Sequence, residues 1–459
     1  MKKDKSKNKI CNIVLDIGKL NAKILIFNNQ LKLIKVIKTN YPLKKIKKNF
    51  YIKDTNFLIT WFKKNIYLYS KQFKIKKIVT TAHGAACGLV DYNNKSILGV
   101  MDYENNFDKV LKEFKIIKPS FSETLSPLSE KGLNLGKQIL YLKLKEKNIF
   151  KNTKYILTFP QYISWILSKK LSSEISYLGN HTHLWNFKKK TYSSLVNKLK
   201  IKNKLPKIKN AWNTVGFYSL DERLSKNKIK IINGIHDSDA SYLLFTRGKF
   251  KKFNLISSGT HIVIMNAFTP PKCLKEDKEM YGGINVFGKV VPTVRFMGGR
   301  EYQLLNKKLK INKKFKSFDI RFFKKKNFLY PSFGIGGPFS RMKGIYKPFL
   351  KENYTSRYMA IITYIAFVLN YCMDLINCRE NIIITGPLIN NKNFLRIIGA
   401  LRESQKIYLS SNQEGTGIGA SLLFNLKKKI DLNLKLYKSK KIPEINSSYE
   451  YWIKKLKNN

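Results

Sequence analysis

Two loops constrain this chain more than anything else in it. One is Val14-Leu15-Asp16-Ile17-Gly18-Lys19-Leu20-Asn21-Ala22-Lys23-Ile24-Leu25-Ile26-Phe27, and the other is Leu255-Ile256-Ser257-Ser258-Gly259-Thr260-His261-Ile262-Val263-Ile264-Met265. Each reads as an apolar strand, a tight turn of small and polar residues, and a second apolar strand. Such a turn can aim several backbone N–H groups at one point, which suits an anion such as phosphate. Between the loops lies Gly234-Ile235-His236-Asp237, a lone acid among Gly and small residues. Two phosphate cradles with a carboxylate between them are the parts of a phosphoryl transferase.

The chain has 459 residues, enough for two or three domains, and 43% of them are hydrophobic, so it should fold around filled cores. Five cysteines (Cys11, Cys87, Cys273, Cys372, Cys378) form no C-x-x-C, which removes support for zinc ribbons and redox dithiols. Scattered single cysteines fit a reducing compartment, and the cytoplasm is the expected location. The formal net charge is +59. Lysine is spread over the whole chain rather than gathered in a stripe, and there are ten arginines, none before Arg223. The charge therefore reads as a drift in composition, and no specific nucleic acid is expected as a partner. A nucleic-acid binder remains a rival, to be known by a continuous basic face and steep salt dependence. Arg295 and Arg300, in a Gly-bearing stretch beyond the second loop, are either anion contacts or salt-bridge residues. The basic start runs into Ile13-Val14-Leu15, but Asp16 breaks the apolar run and no small-residue cleavage site follows. The segment from Tyr358 to Ile376 carries Asn370 and Asp374, so it reads as a buried helix, and no membrane partner is expected.

Strand patterns fall at 12–17, 22–27, 31–37 and 77–81, then at 229–233, 253–257, 261–266 and 381–385. Helical patterns fall at 55–72, 132–147, 160–169, 356–377 and 416–427. Strands alternating with helices give an α/β fold, and one hairpin loop in each half suggests a duplicated core flanking a central cleft. The expected divisions are a basic leader at 1–10, a first domain at 11–245, a second at 246–427 and a Lys-rich surface helix or loose tail at 428–459.

Taken in order, Asp16-Ile17-Gly18-Lys19, Ala82-His83-Gly84, Asp102-Tyr103-Glu104, Phe159-Pro160-Gln161-Tyr162 through Gly179-Asn180-His181-Thr182-His183-Leu184-Trp185-Asn186, Gly234-Ile235-His236-Asp237, Ser257-Ser258-Gly259-Thr260, and Thr385-Gly386-Pro387 with Glu414-Gly415-Thr416-Gly417-Ile418-Gly419-Ala420 resemble the FGGY family of carbohydrate kinases. The L-fuculose and L-rhamnulose kinase branch looks nearest. The resemblance runs from about residue 11 to 425. It implies duplicated actin-like ATPase (ribonuclease H-like) domains, ATP and Mg²⁺ as cofactors, and a small ketose phosphorylated at its 1-hydroxyl; xylulose or ribulose is the alternative sugar, and a homodimer is left open. Three departures stand out. The first loop commonly reads Asp-x-Gly-Thr-x-Ser, here Lys19-Leu20-Asn21 after Gly18. The second commonly ends in Trp, here His261. The nucleotide loop is commonly a run of glycines, here Gly386 followed by Pro387. A non-catalytic sugar- or nucleotide-binding relative is the rival that these departures motivate.

Asp237 is the candidate general base, since a carboxylate in reach of a sugar hydroxyl can take its proton as the P–O bond forms. The resemblance maps the family's catalytic Asp here; the bland reading makes Asp237 or Ser238 a helix N-cap. Asp239 is read as structural. Asp16 can hold Mg²⁺ against the phosphates. Gly18 and Asn21 shape the first turn, with Lys19 or Lys23 as a point charge, and Ser258, Gly259 and Thr260 form the second cradle. Gly386, Pro387, Gly415 and Thr416 are the expected nucleotide contacts; Gly415-Thr416-Gly417-Ile418-Gly419 lacks the dinucleotide spacing and reads as a helix start near bound nucleotide. By resemblance His83 and His236 lie near the sugar with Gly84, while Asp102 and Glu104 can accept from its hydroxyls. His181, His183 and His261 are weaker candidates, and no spacing among the histidines suits a metal.

Overall fold

The computed structural model describes residues 9–47, 50–220, 228–248, 250–312, 317–412 and 414–457. All but the end of the expected 1–10 leader lies outside them. The chain divides into two compact units: 1–248 with 282–290 and 414–430, and 249–281 with 291–413 and 431–459.

In the first unit the apolar strand β1 (Ile10–Ile17) is buried along nearly its whole length, as suits an interior strand. It pairs antiparallel with β2 (Asn21–Asn28), which pairs antiparallel with β3 (Leu33–Asn40). On its other side β1 runs parallel to β4 (Lys74–Ala82). The sheet is completed by β5 (Thr214–Tyr218) and β6 (Ile229–His236), in the order β5-β6-β4-β1-β2-β3, with β6 parallel to β4. Alternation along β1 splits two cores. Ile13, Leu15 and Ile17 join Leu58 and Phe62 of helix α1 (Thr55–Ser70). Val14 joins Leu25, Phe27, Ala240, Leu243 and Ala420. Helix α2 (Phe159–Ser168) follows the strand Thr153–Thr158, and helix α3 (Asp237–Thr246) follows β6 directly.

Register fixes what gathers at one end of this sheet. Asp16 is opposite Thr81, and His236 is opposite Ala82. The C-terminal ends of three parallel strands therefore deliver Asp16, His83 and Asp237 to the same edge, where ligands of open α/β sheets bind. Gly234 makes this possible within β6. Its φ is +101°, and a Cβ there would meet the Thr80 carbonyl oxygen at 2.6 Å.

The second unit repeats the pattern. Strands β7 (Asn254–Ser258), β8 (Ile262–Met265), β9 (Val290–Phe296), β10 (Ile382–Thr385), β11 (Ile407–Ser410) and β12 (Lys435–Tyr437) lie in the order β9-β8-β7-β10-β11-β12. β7-β8-β9 is an antiparallel meander, and β10 and β11 continue parallel to β7. Helix α4 (Gly298–Lys308) follows the meander. Helix α5 (Tyr354–Leu375) is long and apolar enough to cross a membrane, yet most of it is buried inside the unit.

Two stretches near the chain end bear on the expected divisions. The helix Gly415–Ser421, expected in the second domain, belongs to the first unit. Its glycines allow close approach: a Cβ on Gly419 would sit 1.8 Å from the Ala240 carbonyl oxygen, and one on Gly417 2.5 Å from the Leu25 side chain. Of the two forms expected for the Lys-rich tail, the helical one is found, though packed inward. The tail adds β12 and a helix, Ile445–Lys457, whose Trp452 is fully buried and donates its indole N–H to the Leu329 carbonyl at 2.9 Å.

Candidate active site

In the first unit the turn Gly18-Lys19-Leu20 joins β1 to β2, closed by the Gly18 N–H donating to the Asn21 carbonyl at 2.9 Å. Asp16, just before it, is buried. Burial pushes its carboxyl up to about 7; Lys23 opposes this, and the neighbouring charges of Asp237 and Glu414 reinforce it. Lys23 is shared with Glu414, whose carboxylate takes it at 2.7 Å and Lys38 at 3.0 Å. Glu414 immediately precedes Gly415 and Thr416, so both candidate nucleotide residues start a helix of the first unit.

Asp237 is the first residue of α3, with its side chain 30% exposed. Its Oδ1 accepts from the Ser238 N–H at 2.6 Å. The cap is displaced by one residue from the sequence reading: His236 occupies it, with Nδ1 accepting from Ser238 N–H at 3.3 Å. This leaves the second oxygen of Asp237 outside the capping arrangement. The His236 ring is buried, with Nδ1 3.5 Å from both Asp237 Oδ1 and Asp239 Oδ2. Burial lowers its pKa, but Asp237 and Asp239 together raise it further, for a net upward shift. Asp239 also accepts from Asn180 Nδ2 at 2.7 Å, in keeping with a structural role. His83 is buried too; its Nδ1 donates to the Gly84 carbonyl at 2.9 Å, and burial pulls its pKa down to about 4. The Nε2 atoms of His83 and His236 are both buried with no hydrogen-bond partner among the described residues. Gly84 gives His236 its room, since a Cβ there would lie 2.5 Å from Nε2. Asp237 acts electrostatically on His83, His236 and Asp16, so these four groups form one cluster. A partly exposed carboxylate beside two unpartnered imidazole nitrogens can bind a polyol and accept a proton from it.

Asp102, Lys19 and Glu104 are tied to one another. Asp102 is buried between two ammonium groups, bonded to Lys19 and 3.4 Å from that of Lys53. Burial raises its pKa, yet the Lys19 bond, the Glu104 N–H and Lys53 hold it below the ordinary carboxylate range. It is thus an anchor for lysines rather than an open acceptor. Lys19 lies over the Tyr103 ring, 4.1 Å from its centroid, with the exposed Glu104 at 3.7 Å. His183 packs against Phe114, and Asn134 donates to the His181 carbonyl.

In the second unit the turn Gly259-Thr260-His261 closes through Gly259 N–H to the His261 carbonyl at 2.9 Å. The Ser258 hydroxyl donates to the Thr385 carbonyl at 2.7 Å and accepts from the Leu388 N–H at 3.1 Å. It therefore ties the turn to Gly386-Pro387. Gly386 has φ +88°, and a Cβ there would lie 2.0 Å from the Ser258 carbonyl oxygen. The start of α4 leans on the same turn, with Arg300 N–H donating to the Thr260 carbonyl at 3.2 Å. Burial, helped by Arg295, pulls His261 down to about 4.

Sequence reading missed Lys53 and Glu174. Glu174 is buried, accepts from Ser176 and Tyr177, and is pushed up to about 7 chiefly by burial. Nothing marks Lys53 in a chain this rich in lysine. Glu174 could have been suspected as the acid heading a short helix.

Comparison with known proteins agrees with this architecture. A carbohydrate kinase from Novosphingobium aromaticivorans superposes with a TM-score of 0.85 at 22% identity, covering 98% of this chain and 99% of that one. A ligand-bound xylulose kinase from Lactobacillus acidophilus gives 0.80 at 16% identity, covering 98% and 97%. Plasmodium falciparum glycerol kinase with ADP gives 0.78 at 16%, covering 98% of each. At these identities the likeness speaks for the fold. No curated protein matches the sequence. The profile of the N-terminal domain of the FGGY family of carbohydrate kinases matches residues 11–243, and that of the carbohydrate kinase FGGY C-terminal domain matches 250–431. With both domain profiles matched in order across a duplicated α/β fold, the chain belongs to the FGGY family of carbohydrate kinases.

Proposed function

We propose that this ATP-dependent sugar kinase phosphorylates a small ketose of the L-fuculose or L-rhamnulose type at its 1-hydroxyl, with Asp237 as the general base. The observation that carries the catalytic part is the placement of Asp237: a partly exposed carboxylate at the sheet edge, 3.5 Å from His236 Nδ1 and acting electrostatically on His83, two imidazoles whose Nε2 atoms have no hydrogen-bond partner among the described residues. The imidazoles would take sugar hydroxyls, and Asp237 would accept the proton of the hydroxyl that attacks phosphorus. The choice of sugar rests on the ordered motifs of the sequence.

Asp16 is the residue that would hold Mg²⁺. Burial first, and then the acidic neighbours Asp237 and Glu414, raise its carboxyl, so a divalent cation there would relieve the cost of ionising it. Bound Mg²⁺ would neutralise charge on the phosphates. The turn at 18–20 would supply backbone donors to a phosphate; in the second unit, by itself, the turn at 259–261 beside Gly386 presents backbone donors of the same kind.

ADP release should be measured with Mg²⁺-ATP over L-fuculose, L-rhamnulose, xylulose, ribulose and polyols, for the parent and for Asp237→Asn. The Asn variant should lose roughly 10²–10⁴ in kcat, the usual worth of a general base. Full rate in that variant would remove Asp237 as base, and a clear preference for xylulose or ribulose would replace the proposed sugar.

A further inference from the structure

Lys53 is almost fully buried, at 1% exposure. A lysine so placed needs specific partners, because desolvation works against its charge. Here burial pulls the ammonium down to about 8, with Asp102 opposing. Its partners all lead to the first turn. Nζ donates to the Lys19 carbonyl at 2.6 Å and sits 3.4 Å from Asp102 Oδ2, and Asp102 in turn holds the Lys19 ammonium. Nζ also lies over the Tyr41 ring, 5.3 Å from its centroid. The Tyr41 hydroxyl donates to the Gly18 carbonyl at 2.6 Å.

Local chain geometry makes the brace. Lys53 ends the hairpin Leu43–Lys47/Phe50–Lys53. That hairpin meets the segment before Asp102 through Lys53 N–H to the Val100 carbonyl at 2.7 Å and Asp102 N–H to the Tyr51 carbonyl at 3.1 Å. Lys53 and Asp102 are thereby set side by side facing the turn. Two successive carbonyls of the turn, Gly18 and Lys19, are thus held from one side by buried donors. The N–H groups of Lys19 and Leu20 form no hydrogen bond among the described residues.

We infer that Lys53 is a positioning residue of the phosphate-binding turn: by gripping the Lys19 carbonyl, with Tyr41 on the Gly18 carbonyl and Asp102 restraining the Lys19 side chain, it holds the turn's free N–H edge toward the triphosphate. This rests on the reading of the turn as a phosphate cradle. Preorganised donors lose no ordering entropy on binding, which is how a residue that touches no ligand can set affinity.

The test is the dissociation constant of Mg²⁺ with a non-hydrolysable ATP analogue, measured by calorimetry on the full chain, alongside thermal unfolding of the ligand-free protein. Lys53→Met keeps length and removes the donor; it should weaken binding about tenfold, as expected for losing a hydrogen bond made by a charged donor. Tyr41→Phe, a milder change that keeps the ring, should weaken it about threefold or more by the same arithmetic. A folded Lys53→Met protein that binds within about twofold of the parent, a change smaller than the loss of one hydrogen bond, overturns the inference even if its melting temperature has dropped. If Lys53→Met does not fold, Tyr41→Phe decides by the same criterion. Asp16→Asn separates the two levels. If it weakens binding while the Lys53 and Tyr41 variants do not, positioning fails and the cradle stands; if none of the three does, the cradle reading itself fails.

Discussion

The acid at the end of β1 should destabilise the fold it serves. Asp16 has an ordinary pKa of 3.8, and in the folded ligand-free chain burial leads the shift to about 7. The folded state therefore prefers the neutral acid. Below pH 3.8 both states are protonated and there is no penalty. As pH rises toward 7 the unfolded chain ionises first, and stability falls. Above 7 both states are ionised and the full penalty stands. At ~1.4 kcal/mol per pH unit the interval from 3.8 to about 7 amounts to on the order of 4 kcal/mol. Asp16→Asn removes the charge but leaves a buried amide, which costs about 1–3 kcal/mol if it finds no partner. The expected net gain at pH 8 is therefore roughly 1–3 kcal/mol. For units of this size that is about 2–4 °C in melting temperature per kcal/mol. The assay is thermal unfolding of parent and variant in chelator at pH 4, 6 and 8, without nucleotide. The variant should melt higher than the parent at pH 8, lose that advantage progressively as pH falls from 7 toward 4, and be the less stable of the two at pH 4, where only the cost of the buried amide is left, while kinase activity is lost. A variant less stable at pH 8, or a difference independent of pH, would refute the reasoning.

Gly386→Ala should strain a residue at φ +88° and press a methyl onto the Ser258 carbonyl; about 1–3 kcal/mol of destabilisation and a raised KM for ATP are expected, read by unfolding and steady-state kinetics. Gly84→Ala should displace the His236 ring, whose Nε2 lies 2.5 Å from the new Cβ, raising the KM for sugar more than that for ATP. Trp452→Ala should cost about 3–5 kcal/mol, because the indole is fully buried and hydrogen-bonded. Unchanged stability there would mean that the terminal helix is dispensable.

The duplicated core is legible in the sequence because its strands announce themselves. β1 carries the polar Asn12 as its third residue, yet Ile13 to Leu15 and Ile24 to Phe27 form unbroken buried blocks on either side of the first turn. Asp16, His83 and Asp237 stand out by their places at strand ends, where register brings them together. Less visible are strands at sheet edges, such as Thr214–Tyr218 and Lys435–Tyr437, whose short, partly exposed patterns carry little periodicity. Asp102 reads as a sugar contact because sequence separation hides its partners: Lys19 and Lys53 lie far away along the chain, and neither stands out among so many lysines. The helix N-cap lies one residue earlier than the sequence suggests, because Asp is the commoner cap, whereas here His236 Nδ1 takes the role.

The helix Gly415–Ser421 shows that the two halves of the chain are interwoven rather than strung in series. A fragment ending at residue 248 would lack the small-residue lid over Leu25 and Ala240, leaving that greasy surface bare. Separately expressed halves should therefore aggregate, and a nonsense mutation anywhere before residue 415 would damage the amino-terminal half that had already been synthesised.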